Sequence, residues 1–287
     1  MAIKWTILGG LIVAAMCLYL AAEGLLLVAS LVRLLSKRAP QATVARPADG
    51  ATALQWIGSA IFALGSGVAA VAFVVRWEEV DHVPLQNMFE VFLCLGMLMW
   101  PLSLFCRRML ASGCQWFNAQ LGFCILFPAA FVFSADPQHL PPALQSFLFV
   151  PHVSAYMISY VIMFMALAPA VLRLFVEKVG DDLPNDLQAH RLVMTGFPLL
   201  TLGLALGSWW GKIAWGDYWN WDPKELWSLV SWLIFLGYFH FRTMFGQRYP
   251  RVRSALIMAG VAAIILTLLW VNLARIFGSG MHSYASG

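Results

Sequence analysis

Eight long apolar runs constrain this chain before any motif does. They lie at about 5–32, 53–75, 86–105, 116–134, 150–175, 192–210, 226–245 and 255–275. A run of about 20 residues, wound as an α-helix, crosses the roughly 30 Å hydrocarbon layer of a bilayer. Barrel strands would instead give alternating segments of about 10 residues. Lipid offers no hydrogen bonds to the backbone, so runs this long must satisfy their own polar groups as helices. The predicted fold is all-α: a polytopic membrane helical bundle of about 8 transmembrane helices, one integral membrane domain over residues 1–287. Charged residues make up 11% of the chain, against about a quarter in soluble domains. A formal charge of +4 suggests no nucleic-acid partner. The first run is too long for a signal peptide and lacks an A-x-A exit, so it reads as a retained helix.

The connections between runs divide by charge. One alternate set carries thirteen cations, among them Arg33, Lys37, Arg38, Arg107, Arg108, Arg191 and Arg242; the other carries five, Lys4, Arg76, Lys212, Lys224 and Arg275. Cytoplasmic loops are enriched in Lys and Arg, which puts the thirteen inside and both termini on the outer, periplasmic side. The segment 211–225, the segments around His82 and His139, and the C-terminal tail are then outside. The cysteines Cys17, Cys94, Cys106, Cys114 and Cys124 form no C-x-x-C pair, which excludes a c-type cytochrome, a dithiol oxidoreductase and a cysteine zinc site.

Six of the thirteen tryptophans fall between residues 209 and 227: Trp209, Trp210, Trp215, Trp219, Trp221 and Trp227, with Tyr218 among them. A belt of aromatics at the membrane interface explains that density poorly. His152, at the outer mouth of the fifth run, and His282, in the tail, bracket these indoles in sequence. Neutral imidazole is a ligand for haem iron, and indoles bury large area against a flat ring. Two histidines over an aromatic floor would hold such a ring, with Lys212, Lys224, Arg76 and Arg275 available to its propionates. The alternative is an interfacial belt with incidental surface histidines. His240 lies within the seventh run, where an ionisable group is a functional candidate by default. It reads either as a ligand of a buried haem or as a hydrogen-bond partner of a neighbouring helix. No second histidine lies at its depth, so a six-coordinate haem there would need a partner subunit. Glu23 and Glu90 read as polar glue between helices, His139 and His190 as solvated loop residues. "D-P-K-E" from Asp222 has the form of a helix start, with proline first and glutamate third.

"WGDYWNWDPKELWSL" (215–229) closely resembles the tryptophan-rich signature of the haem-handling membrane proteins of cytochrome c biogenesis. "HVPLQNMFEVF" (82–92), "PHVSAYMISY" (151–160), "FHFR" (239–242) and "GSGMHSY" (278–284) are similar to elements of the CcsA, or ResC, branch of System II. The resemblance implies haem export and covalent attachment of haem b (iron protoporphyrin IX) to the C-x-x-C-H segment of apocytochrome c. This holocytochrome c synthase (haem lyase) activity is shared with a CcsB (ResB) subunit. It implies His152 and His282 as external, catalytic iron ligands and His240 as one ligand of an intramembrane haem. It also implies that Trp209, Trp210, Trp215, Tyr218, Trp219, Trp221, Asp222 and Trp227 bind haem in an outer-face segment, 209–227. A thioredoxin-like reductant is a further expected partner. A CcmC-like haem chaperone, forming no thioether, is the alternative; that family has fewer spans and lacks the "HSY" tail. With no transit peptide before the first run, the bacterial cytoplasmic (inner) membrane is expected ahead of a thylakoid.

Overall fold

The computed structural model describes residues 7–38, 48–175 and 184–273. Every regular element among them is helical: α1 Ile7–Arg38, α2 Ala48–Val80, α3 Met88–Met109, α4 Gln115–Phe131, a 3-10 turn Pro142–Leu144, α5 Phe149–Met165, α6 Leu167–Phe175, α7 Pro184–Trp215, α8 Pro223–Phe245 and α9 Pro250–Leu273. All eight apolar runs fall on these helices, α5 and α6 sharing one. Six segments are long and apolar enough to cross a membrane: α1, α2, α3, α5 with α6, α7 and α9. The remaining two are α4, with 17 residues, and α8, which opens on Lys224 and Glu225. The break at Ala166 has a local cause. Pro169 brings no N–H to the ladder, and its ring crowds the carbonyl one turn earlier.

The helices form two packed groups. In the first, α1 lies on α2 and α4, and α3 on α2 and α4; in the second, α5 packs on α7, α8 on α9, and α6 on both α7 and α9. The main seam between them is α3 against α5. Close approach in the first group rests on small residues, as expected where lipid gives helices no hydrophobic drive to associate. The Tyr19 ring is clasped between Gly65 of α2 and Gly122 of α4, where an added Cβ would come within 2.7 and 2.6 Å of it. Its hydroxyl donates to the Gly96 carbonyl at 2.7 Å.

Buried charge is paired. Arg76, fully buried on α2, meets Glu90 of α3 at 3.0 Å and donates to the Ala135 carbonyl at 2.7 Å. Glu90 also accepts from the Gln86 backbone at 2.8 Å and from the Asn87 amide at 3.2 Å. Arg76, one of the cations available to the propionates by sequence, is therefore tied into the helix framework. Glu90 acts as the polar glue its position suggested. Asp186 of α7 similarly holds Arg242 of α8 and Arg253 of α9, each at 2.8 Å. His190 is not solvated: it is half-buried on α7, with Nδ1 3.0 Å from the Tyr238 hydroxyl.

Candidate functional site: an imidazole and indoles at one end of the seam

The segment expected to be a loop over 211–225 is helical at both ends, 211–215 and 223–225. α7 runs through Trp215, and Gly216, with φ +92°, ends it. Only 216–222 is irregular, because α8 begins at once. Asp222 is its N-cap and accepts from the Lys224 N–H at 2.9 Å, with Pro223 in the first turn. Glu225 reaches back to accept from the N–H groups of Asp222 (3.2 Å) and Asn220 (2.7 Å). This is the reciprocal capping expected from "D-P-K-E". The Asp222 carboxylate is thus engaged with its own helix. Trp221, wedged before it, has φ +58°, a conformation costing about 1–2 kcal/mol for a non-glycine residue. Its indole stands 66% exposed.

At this end of the α3–α5 seam a cavity of about 180 Å³ opens. His152, on the first turn of α5, borders it together with Trp210, Trp215, Trp219, Lys224 and Glu225. His152 Nδ1 lies 2.9 Å from the Gly203 carbonyl of α7. A carbonyl only accepts, so Nδ1 carries the proton and the ring's lone pair sits on Nε2. Metal-binding histidines are commonly oriented by such a second bond. The ring stacks on Trp210 (5.8 Å, 28°) and meets the edge of Tyr156 (5.1 Å). Gly207 makes room for it: a Cβ there would stand 2.5 Å from His152 Cε1. Trp210 is itself held, its indole N–H donating to the Ala143 carbonyl at 2.8 Å, and it packs on Trp215 at 4.8 Å.

The expected residues therefore divide. Trp210, Trp215 and Trp219 share the cavity with His152. Trp209, Tyr218 and Trp221 are exposed outside it, and Trp227, half-buried on α8, does not border it. Among the three described candidate cations only Lys224 lines the cavity. Lys212 donates to the Gly216 carbonyl at the end of α7, and Arg275 lies outside the described residues. His282 also lies outside them. Burial pushes the Lys224 ammonium down to about 8, with the Asp222 carboxylate pulling the other way. Two cavity groups, the Trp219 indole N–H and Gln86 Oε1, are buried without a hydrogen-bond partner among the described residues, and groups left so call for an explanation. Tyr156, Tyr160 and Gln86, which lie in the motif segments 151–160 and 82–92, had no individual role by sequence; packing of α3 against α5 brings them to this wall.

His240 sits apart. It is exposed on α8, with Nδ1 3.0 Å from the Leu236 carbonyl of its own helix. Leu233, Gly237 and Met244, spaced along the same helical face, are exposed with it.

Three comparisons bear on this arrangement. The family described as Cytochrome C assembly protein matches residues 85–279. Among individual proteins, the cytochrome c biogenesis protein CcsA of Chlamydomonas reinhardtii is 35% identical over 228 residues, 74% of this chain and 63% of that one. Those of Mesostigma viride and Prochlorococcus marinus (strain MIT 9303) are 28% and 30% identical, over 80% and 78% of this chain and 87% and 82% of theirs. Among solved structures, the cytochrome c haem lyase CcmF has the same fold over all of this chain and 51% of its own, with TM-score 0.60 and 19% identity.

Proposed function

The chain belongs to the cytochrome c assembly protein family, on its CcsA branch, and on that premise we propose that it exports haem and attaches it covalently to apocytochrome c together with a CcsB-type membrane subunit. The observation that carries this reading is the His152 imidazole, fixed between Gly203 and Trp210 at the mouth of an indole-lined cavity. On this reading all eight apolar runs span the membrane. The thirteen-cation side is cytoplasmic, both termini and the His152 end lie outside, and the membrane is the bacterial cytoplasmic one.

Haem is the substrate, and His152 is proposed as one iron ligand, with His282 as its counterpart. A cavity of about 180 Å³ is below the roughly 300–1,000 Å³ of pockets that engulf a ligand. Such a cavity grips one edge of a porphyrin and leaves another exposed, and the acceptor's thiols must reach that exposed edge. In the reaction each cysteine S–H adds across a vinyl C=C. The sulfur bonds the carbon next to the ring, the proton goes to the terminal carbon, and nothing leaves. The chain's contribution is position, which lowers a barrier when both reactants are held in attack geometry. Trp210, Trp215 and Trp219 orient the ring, and Lys224 neutralises a propionate. The exposed Trp209, Tyr218 and Trp221 would extend the aromatic surface towards the acceptor. His240, facing outward, would bind an intramembrane haem whose second ligand comes from the partner. A thioredoxin-like reductant would keep the acceptor's cysteines as thiols.

The test is coexpression with a CcsB-type subunit and a C-x-x-C-H acceptor in cells lacking their own pathway. Covalent haem on the acceptor, lost in His152→Ala and His282→Ala, is the expected result. An acceptor that carries haem equally well with both histidines replaced would sink the proposal. Haem bound by the protein but never attached would move it to the chaperone reading.

A further inference from the structure

A second cavity, about 540 Å³, opens at the opposite end of the same two helix groups. Val91 borders the first cavity and Arg107 the second, about 24 Å apart along α3 at 1.5 Å per residue. Ser208 and Gln188 do the same on α7, about 30 Å apart. The two ends differ in chemistry. The second cavity has no histidine and no carboxylate among its described lining residues, but two guanidiniums, Arg33 of α1 and Arg107 of α3. Gln115 organises its floor: its Oε1 accepts from Arg107 at 3.1 Å and from Gln55, and its Nε2 donates to Ser59 at 3.3 Å. Trp56, 70% exposed, and Trp116 border the opening.

Among the described residues these two guanidiniums meet no carboxylate; set among amides and indoles, they suit an amphipathic ligand with two acidic groups and an apolar body. Guanidinium matches carboxylate in a planar fork. The volume falls in the roughly 300–1,000 Å³ range of pockets for organic ligands, far more than one phosphate needs. We propose that this cavity is a loading site for haem on the cation-rich face, with Arg33 and Arg107 holding the propionates before the ring moves to the histidine sites. The inference rests on the haem-handling function proposed above. It places the loading and presenting ends on one seam, between the same two groups of helices. An anionic lipid headgroup shares the acidic-oxygen chemistry and is the occupant to be excluded.

The test uses the full chain with its CcsB-type partner in phosphatidylcholine nanodiscs, titrated with zinc protoporphyrin IX and with its dimethyl ester. R33Q/R107Q is expected to weaken binding of the free acid by about tenfold or more, the scale of losing charge-assisted hydrogen bonds. R33K/R107K, which keeps the charge but not the planar fork, is expected to fall between the original protein and R33Q/R107Q, and the ester to bind weakly to every form and to ignore the arginines. Equal binding of the free acid by the original protein and R33Q/R107Q overturns the loading site. So does an arginine-dependent response to phosphatidylglycerol alone, with no effect on the porphyrin, which assigns the cavity to a lipid headgroup. In the coexpression assay, an original protein that attaches no haem defeats the function proposal itself. An original protein that attaches haem, matched fully by R33Q/R107Q, defeats this inference alone.

Discussion

His152 and His240 each have Nδ1 bonded to a carbonyl, at 2.9 and 3.0 Å, and there the likeness ends. The carbonyl facing His152 belongs to another helix, and the ring is pressed between α5 and α7 with Trp210 against its face. The carbonyl facing His240 is one turn back on its own helix, and the ring stands exposed. An imidazole steadied by a second helix works in a site that the chain assembles for itself. An imidazole steadied only by its own helix is oriented before anything else arrives, and on the proposed function its site is completed from outside. The first depends on the packing of α5 against α7. The second depends on α8 alone and on whatever meets its exposed face.

The sharpest way to break this contrast is through the glycines beside each ring. Gly207→Val puts a branched side chain where a lone Cβ already falls 2.5 Å from His152. The ring must leave the Gly203 carbonyl. Haem affinity at the outer end should drop by about 10–100-fold, the usual cost of losing a ligand's orienting partner, with the His240 haem spectrum unchanged. At Gly237, one turn before His240, an added Cβ meets nothing within 4 Å. Gly237→Leu should therefore leave the melting temperature of the isolated chain unchanged while lowering recovery of the CcsB-type subunit. A Gly207→Val protein with normal outer haem, or a Gly237→Leu protein already unfolded alone, would erase the distinction. Next in size is His240→Gly. Its absorption signal should vanish and return with added imidazole, because the vacated position opens directly to the surroundings. Failure of imidazole to restore it would mean that the site is closed by this chain after all.

How far the sequence foretold these regions follows from the range of the interactions. The start of α8 was legible, since Asp222, Pro223 and Glu225 act within one turn. Apolar runs marked every helix but not its ends. α7 passes through Gly211 and Lys212 to Trp215, where hydropathy had already fallen, so the tryptophan segment is far more helical than its composition suggests. His190 was misread because its charged neighbour Arg191 implied solvent, whereas Tyr238 reaches it from another helix. The partners of Arg76, Glu90 and the Ala135 carbonyl, likewise come from other elements. Gln86, Tyr156 and Tyr160 lie in the motif segments 82–92 and 151–160, but that they share one cavity wall follows only once α3 lies on α5.

The smallest expected effect tests the electrostatics of the His152 end. Burial pushes Lys224 down to about 8, below the roughly 10.4 of an unfolded lysine. Between those values the unfolded chain binds more protons than the folded one, so stability rises with pH across about 8 to 10. Binding should run the opposite way. Below about 8 the ammonium is charged and attracts a propionate; above it the charge is lost. Outer-end haem affinity should therefore weaken several-fold between pH 7 and pH 9, in a titration followed by absorption. Lys224→Met should flatten that slope and leave His240, on the far side of α8's first turns, with an unaltered spectrum at both pH values. Identical pH slopes in the original protein and Lys224→Met would remove the lysine from the propionate's surroundings, and the His152 end would then hold its ring by imidazole and indole alone.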